Sequence, residues 1–578
     1  MFRIPALIAA ASFGLLQFAS AVDPVATPAP AAAPAVTAPV APAPNFPVTI
    51  RIDASKKAGE MRPIWRYFGY DEPNYTYMKN GKKLIGELGK LGKHGGFVRT
   101  HSLLVTGDGT PALKWGSTNA YTEDANGKPV YDWTIVDRIF DTYLQNGLKP
   151  YVQIGFMPKA LSSKPEPYEH HWKPGDPYNS IYTGWTYPPN DYDKWRELVF
   201  QWTKHCVDKY GQAEAESWWW QLWNEPNLKY WNGTQEEFFK LYDYTVDGVR
   251  RALPKAKVGG PETAGGPGGN WMRNFFEHCL NGTNYVTGQK GTPLDFLSFH
   301  AKGSPKFVEG HVRMGMSSQL QNIDSAFSLI AKYPQLKDKP IVIGESDPDG
   351  CAACTGAHLG YRNGTMYSSY TAASFARKYE LADKHGVNLE GALTWAFQFE
   401  DKPYFAGFRV LANNGIDLPV MNVFRMFGKM SGQRLPVESS ATVPLEVVRK
   451  TGVREAADVS AMASLDQKKL SVMTWHYHDD DVAGPVADLE IALTGLPVPN
   501  GNARIQQFRV DAEHSNSFEV WKSIGSPQQP TPEQYARLEK AGQLAAAGPA
   551  STIAVKDGAA TLKVSLARQA VSLFVIEW

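Results

Sequence analysis

The stretch DYDKWRELVFQWTKHCVDKYGQAEAESWWWQLWNEP, residues 191–226, contains the unit whose repetition decides the fold. Asp191 to Tyr210 carries apolar residues at helical spacing, and Trp218 to Trp223 is a short apolar run ending on Asn224-Glu225-Pro226. Within Trp218-Trp219-Trp220, alternate residues of a strand face a core and a helix layer, so the run reads as packing. Seven further runs resemble the strand: Tyr67–Tyr70, Phe97–His101, Tyr151–Gly155, Val258–Pro261, Phe296–His300, Ile341–Glu345 and Leu393–Phe397. Helical segments such as Gln235–Leu253, Gln319–Tyr333 and Tyr367–His385 lie between them. Eight strand-then-helix units predict an α/β chain closed into a (β/α)8 TIM barrel. The alternative, an open doubly wound sheet, lacks its phosphate-binding glycine fingerprint here.

A barrel of this kind places its chemistry at the C-terminal ends of the strands. Those ends carry Asp71 and Glu72, Arg99 and His101, Asn224-Glu225, Glu262, His300 and Lys302, Glu345, and Glu400-Asp401, the rim of a polar-substrate site. Glu225 and Glu345 are 120 residues apart. At roughly 40 residues per decorated unit, that is strand 4 to strand 7, two ends that face each other across the mouth. A lone strand-end glutamate is more often a surface or capping group. Two that face across a sugar-sized gap are what glycoside cleavage needs: one protonates the departing oxygen, the other attacks the anomeric carbon or activates water. Asn224 is placed to hold a sugar hydroxyl near that carbon. Two carboxylates suffice for this chemistry, so no metal and no organic cofactor is expected.

Outside residues 64–435, assigned to the barrel, the pattern changes. From 436 to 578 the helix period gives way to strand-like runs, read as a β-sandwich with a helical insert at Thr531–Gly548. Residues 48–63 supply an N-terminal strand that joins this second domain. Residues 1–21, with Arg3, an apolar run and Ala19-Ser20-Ala21, read as a secretory signal peptide. Residues 22–47 read as a Pro/Ala-rich tether, with eight prolines from Asp23 to Pro47. The expected product is exported, periplasmic or extracellular, with no membrane insertion after cleavage. A balance of 59 Lys+Arg against 58 Asp+Glu gives no whole-chain field for nucleic acid. A composition that is 43% hydrophobic excludes a mainly disordered chain. Cys351-Ala-Ala-Cys354 is a candidate disulfide, favoured over a metal site because only His358 stands near it as a further ligand. Cys206 and Cys279 read as buried thiols.

The string Gln221-Leu222-Trp223-Asn224-Glu225-Pro226-Asn227 resembles the acid/base segment of clan A glycoside hydrolases. With Phe97–His101, Leu297–Ala301, Thr394–Phe397, Val510–Ser517 and Gly525–Pro527, the chain resembles glycoside hydrolase family 39, the β-xylosidases and α-L-iduronidases, from about residue 48 to its end. The resemblance implies a retaining mechanism with Glu345 as nucleophile and Glu225 as acid/base. It implies sugar binding by His101, Asn224, His300 and Glu400, with Trp395 as the floor beneath the ring. Glu345 is expected to be ionised beside Arg99, and the Glu225 pKa to be raised by burial and the Glu345 charge. Lys302 stands where xylosidases of the family commonly have Tyr; it favours an acidic sugar or pairs with Asp347 or Glu262. The implied activity is exo-hydrolysis of short xylo-oligosaccharides, hence xylan degradation, with long mouth loops such as Lys159–Asp191 closing a pocket. The alternatives are another family 39 sugar (α-L-iduronide, arabinopyranoside, galactoside or a cell-surface polysaccharide) or, in a different class, a non-catalytic carbohydrate-binding protein.

Overall fold

The computed structural model describes residues 44–578 apart from 94, 112–115, 172–179, 183, 352 and 397–399. The signal-peptide segment, all but the last residues of the tether, and Phe397 of the eighth strand run lie outside the described residues. Among the described residues, no helix is long and apolar enough to cross a membrane.

The barrel strands are β1 (Tyr67–Tyr70), β2 (Gly96–Thr100), β3 (Leu148–Ile154), β4 (Trp219–Leu222), β5 (Lys257–Thr263), β6 (Phe296–His300), β7 (Ile341–Glu345) and β8. β8 comes in two pieces, Leu389–Ala392 and Thr394–Trp395, around Leu393. All neighbours are parallel. The first piece of β8 pairs with β7 and the second with β1, which closes the barrel. The eighth strand thus starts four residues before the apolar run predicts, because Gly391 is inside it, where a Cβ would meet the Tyr67 ring at 2.5 Å.

The strands are held by burial on both faces. Tyr67, Phe97, Tyr151, Trp219, Phe296, Val342, Leu393 and Trp395 point inward and fill the barrel as one cluster. Trp218 and Trp220 point outward into the helix layer, so alternation around Trp219 divides the run as the sequence predicts. Each such side chain stabilises the fold by roughly 1.5–3 kcal/mol on burial. Two of the barrel helices start on side-chain caps: the Asp191 carboxylate accepts the Asp193 and Lys194 amides ahead of Tyr192–Tyr210. Thr234 and Glu237 form a capping box ahead of Gln235–Ala252.

Two further sheets share a second core of Val48, Ile50, Ile52, Leu470, Val472, Leu489, Ile491, Phe574 and Ile576. One has seven strands, the other four. Phe46–Asp53 lies in the four-stranded sheet, parallel to Ala487–Thr494 and antiparallel to Val437–Ser439. The helical insert is a pair: Ser517–Ser523, capped by Asn516, and Pro532–Ala541, whose capping box is Thr531 with Gln534. A hairpin in the loop after β6, Lys306–Val308 with His311–Arg313, ties the two parts together. Arg313 Nε donates to Asp480 Oδ1 at 2.5 Å and the Met314 amide to the Asp479 carbonyl at 2.7 Å.

Candidate active site

Six strand ends converge on one buried polar cluster. Ser102, Trp223, Glu225 and Glu262 all have positive φ, at 63°, 64°, 43° and 57°. Non-glycine residues persist in that region only where the surroundings over-determine them, and they concentrate at functional sites. Here the Glu225 amide donates to the Glu262 carbonyl at 3.0 Å, and Asn227 bonds both ways with Ala264, which locks the ends of β4 and β5 together.

Arg99 is the organising cation. Its Nε donates to Gln221 Oε1 (3.1 Å), Nη2 to Asn224 Oδ1 (3.0 Å) and Nη1 to Glu345 Oε1 (3.4 Å). Nη1 is also 2.9 Å from His101 Nε2, while His101 Nδ1 is 2.7 Å from Asp71 Oδ1. That arrangement calls for a neutral ring with Nδ1–H donating to Asp71. Burial and the Arg99 charge accordingly hold the His101 pKa below its usual value.

His300 joins the carboxylates. Its Nδ1 is hydrogen-bonded to Glu225 Oε1 at 2.8 Å and lies 3.6 Å from Glu345 Oε1. Its Nε2 lies 2.9 Å from Glu262 Oε2, off the line of a hydrogen bond. Burial opposes the imidazolium, but Glu345, Glu225 and Glu262 outweigh it and raise its pKa. Because one nitrogen reaches both, Glu225 Oε1 and Glu345 Oε1 are closer together than the roughly 6.5 Å at which inverting pairs begin.

Lys302 points into the same space. Its Nζ is 2.5 Å from Glu345 Oε2 and 3.8 Å from Glu225 Oε1. It therefore pairs with neither Asp347 nor Glu262, the two partners the sequence offered. Burial works against the ionised Glu345, yet Lys302, His300 and Arg409 hold its carboxyl well below the usual range. Glu225 departs from expectation. Burial and the Glu345 charge push it up, but Lys302 and the His300 bond outweigh them, and its pKa is lowered. The sequence argument counted the anion and the burial and missed the cation between the two carboxylates.

Trp395 is buried beside His101, ring centroids 5.1 Å apart, with the Arg409 guanidinium 4.9 Å from its ring; its amide donates to Asp347 Oδ1. Glu400 Oε1 accepts the Asn80 amide at 2.6 Å, at the start of the helix Lys79–Leu88. That carboxylate complements a helix N-terminus, a role that strand-end position does not distinguish from sugar binding. Cys351 and Cys354 form a disulfide with Cα atoms 5.5 Å apart, and Cys206 and Cys279 are buried free thiols. Arg409, 3.4 Å from Glu345 Oε2, was missed by the sequence reading because it lies on the long connection after β8 and not at a strand end. Among the described residues, no group of His, Cys, Asp and Glu is arranged to hold a metal ion.

Comparison with known proteins fixes the class of chemistry. A family model described as glycosyl hydrolases family 39 matches residues 48–558. The chain belongs to glycoside hydrolase family 39. This family 39 hydrolase is 26% identical over 435 residues to a β-xylosidase of Geobacillus stearothermophilus, covering 72% of this chain and 75% of that one. It is 24% identical over 548 residues to the α-L-iduronidase of Homo sapiens, covering 88% and 76%. Its fold matches that of a monomeric β-xylosidase from Caulobacter crescentus CB15 with a TM-score of 0.72 at 20% identity, over 92% of this chain and 99% of that one.

Proposed function

We propose that this family 39 hydrolase is a retaining exo-glycosidase acting by double displacement on short glycosides, with β-D-xylose as its glycone. The observation that carries the mechanism is the single imidazole that reaches both Glu225 and Glu345. Glu345, ionised among Lys302, His300 and Arg409, attacks the anomeric carbon. The bond to the aglycone oxygen breaks as Glu225 gives that oxygen its proton, leaving a glycosyl ester on Glu345. Water then attacks the ester while Glu225 takes its proton, and Glu345 leaves ionised. Proton donation by Glu225 needs a higher pKa than Lys302 and the His300 bond leave it. A glycone seated between the carboxylates displaces the Lys302 ammonium, and burial with the Glu345 charge then drives Glu225 upward. The β-xylosidase relatives support the choice of xylose, and the signal-like residues 1–21 and the disulfide support export.

Lys302 favours one second reading. Displaced from Glu345 by the glycone, the ammonium lacks an anionic partner, and the carboxylate of a uronide such as α-L-iduronide would supply one. A panel of nitrophenyl glycosides with the parent and Lys302→Met decides. For xylose, the β-xyloside is the fastest substrate and the variant changes its kcat/KM by less than about tenfold. Hydrolysis of a uronide, lost about 100-fold in the variant, moves the assignment to the second reading. No activity on any xyloside sinks the first.

A further inference from the structure

The loop after β7 carries a second layer of charge behind Glu345. Arg409 is buried, and reaches forward with Nη2 to Glu345 Oε2 at 3.4 Å. Its Nη1 donates back to the Asp349 carbonyl at 2.5 Å and lies 3.5 Å from Asp347 Oδ2. The Asp349 carboxylate is occupied in turn by Arg362 Nη2, by the Tyr361 hydroxyl and by the Cys351 amide, the last at 3.0 Å. Arg362 also donates to the Cys351 carbonyl at 2.7 Å and the Gly407 carbonyl at 2.9 Å. Cys351 is thus bound three ways: to Asp349, to Arg362 and through sulfur to Cys354.

We propose that Asp349, clamped by the Cys351–Cys354 disulfide, is a positioning residue that fixes Arg409 against Glu345, so that the nucleophile's charge answers to the redox state of a loop disulfide. The proposal rests on Glu345 being the nucleophile. The charged and titratable groups that face Glu345 are Arg99 and His101 at the end of β2, Glu225 and Tyr230 after β4, His300 and Lys302 at the end of β6, Asp347 in its own loop, and Arg409. Of the cations among them, all but Arg409 stand at strand ends fixed by the barrel. Arg409 comes from a connection and shares its guanidinium among Glu345, Asp347 and Asp349, whereas Lys302, which also lies near Gly350 of that loop, is anchored at the end of β6. Cys351 and Cys354 are half-buried, within reach of a small reductant. A dithiol delivers two electrons and two protons: the S–S bond breaks, two cysteine thiols form, and the dithiol leaves as its cyclic disulfide. Cys206 and Cys279 are already thiols and do not respond.

The test uses the full chain and the aryl glycoside it cleaves best, with pH–rate profiles taken oxidised, after dithiothreitol, and for Cys351→Ser/Cys354→Ser. Arg409 favours the ionised carboxylate, so loosening it raises the Glu345 pKa. We expect the acid limb to move up by about one pH unit, kcat below that limb to fall about tenfold, and KM to change less than twofold. Reoxidation restores the parent profile, and the double variant ignores dithiothreitol. Asp349→Asn reproduces the limb shift without any change in thiols, and Arg409→Lys, which keeps the cation, retains more of the low limb than Arg409→Met. A reduced enzyme and a double variant that keep the parent's acid limb and kcat, losing only thermal stability, overturn the proposal and leave the loop a mere staple. Full activity in Glu345→Ala instead overturns the nucleophile reading, whatever the disulfide does.

Discussion

The lower and upper halves of the same barrel strands differ completely in chemistry. On β2 the inward residue is Phe97 below and Arg99 above; on β3, Tyr151 and then Gln153; on β4, Trp219 and then Gln221; on β6, Phe296 and, two steps up, His300. A two-residue step keeps a side chain on the same face. The lower layers form a dry aromatic plug. The upper layer is buried as deeply but polar, and it contains groups with no hydrogen-bond partner among the described residues, both amide atoms of Gln153 and the Trp395 indole nitrogen. On β7 the step runs from Val342 to Gly344, where a Cβ would stand 1.9 Å from Glu262 Oε2. The seventh strand gives up a side chain so that the fifth can place a carboxylate. Stability and chemistry are therefore stacked along each strand and not assigned to different strands.

That division is open to attack from either end. Glu345→Ala removes the nucleophile from the upper layer: kcat should fall on the order of 10⁴-fold with the unfolding midpoint nearly unchanged, and azide should restore turnover with an inverted product. An undiminished kcat breaks the comparison at its functional end. Trp219→Ala opens a cavity in the plug and should cost about 3–5 kcal/mol in denaturant unfolding, while kcat per folded molecule stays within a few-fold. A large loss of kcat there would show that the two layers are not separable. The third prediction concerns Lys378, buried in the helix Thr365–His385, hydrogen-bonded to Ser374 Oγ at 3.3 Å and in no salt bridge among the described residues. Burial lowers its pKa to about 7, against a small opposing pull from Asp347. The folded pKa lies below the unfolded value, so the unfolded chain binds the extra proton between about pH 10 and 7. Stability then falls by about 1.4 kcal/mol per unit as pH drops through that window and levels off below it. Lys378→Met should abolish that slope, which urea midpoints at pH 7, 8 and 9 measure directly. A parent whose stability is flat over that range refutes the assignment. The contrast with Lys302 sharpens the comparison: a cation at the mouth is answered by two glutamates, whereas this one is answered by a hydroxyl.

Much of this was legible in the sequence, because a barrel strand buried on both faces must be a short apolar run, and eight such runs are countable. The polar rim was legible for a related reason: Arg99, His101, Glu225, Glu262, His300 and Glu345 follow those runs directly. What escaped depended on distance in the chain. Arg409 and Asp349 reach the cluster through connections whose path no periodicity encodes. The contact of Glu400 with the helix beginning near Asn80 is likewise one that no periodicity encodes. The lowered pKa of Glu225 depends on where one flexible lysine comes to rest, and a strand-end position does not say which of four carboxylates it will choose.

The strand Phe46–Asp53 has one further consequence. Its parallel neighbour Ala487–Thr494 follows roughly 440 residues later in the chain. Before that partner is in place, the alternating Val48, Ile50 and Ile52 have only the short strand Val437–Ser439 to pair with. The barrel can close while this strand waits, and the last domain can finish only by recapturing the chain's beginning. The four-stranded sheet is therefore a device that ties the two ends of the chain's fold together across the whole barrel, a closure paid in loop entropy and not in local contacts.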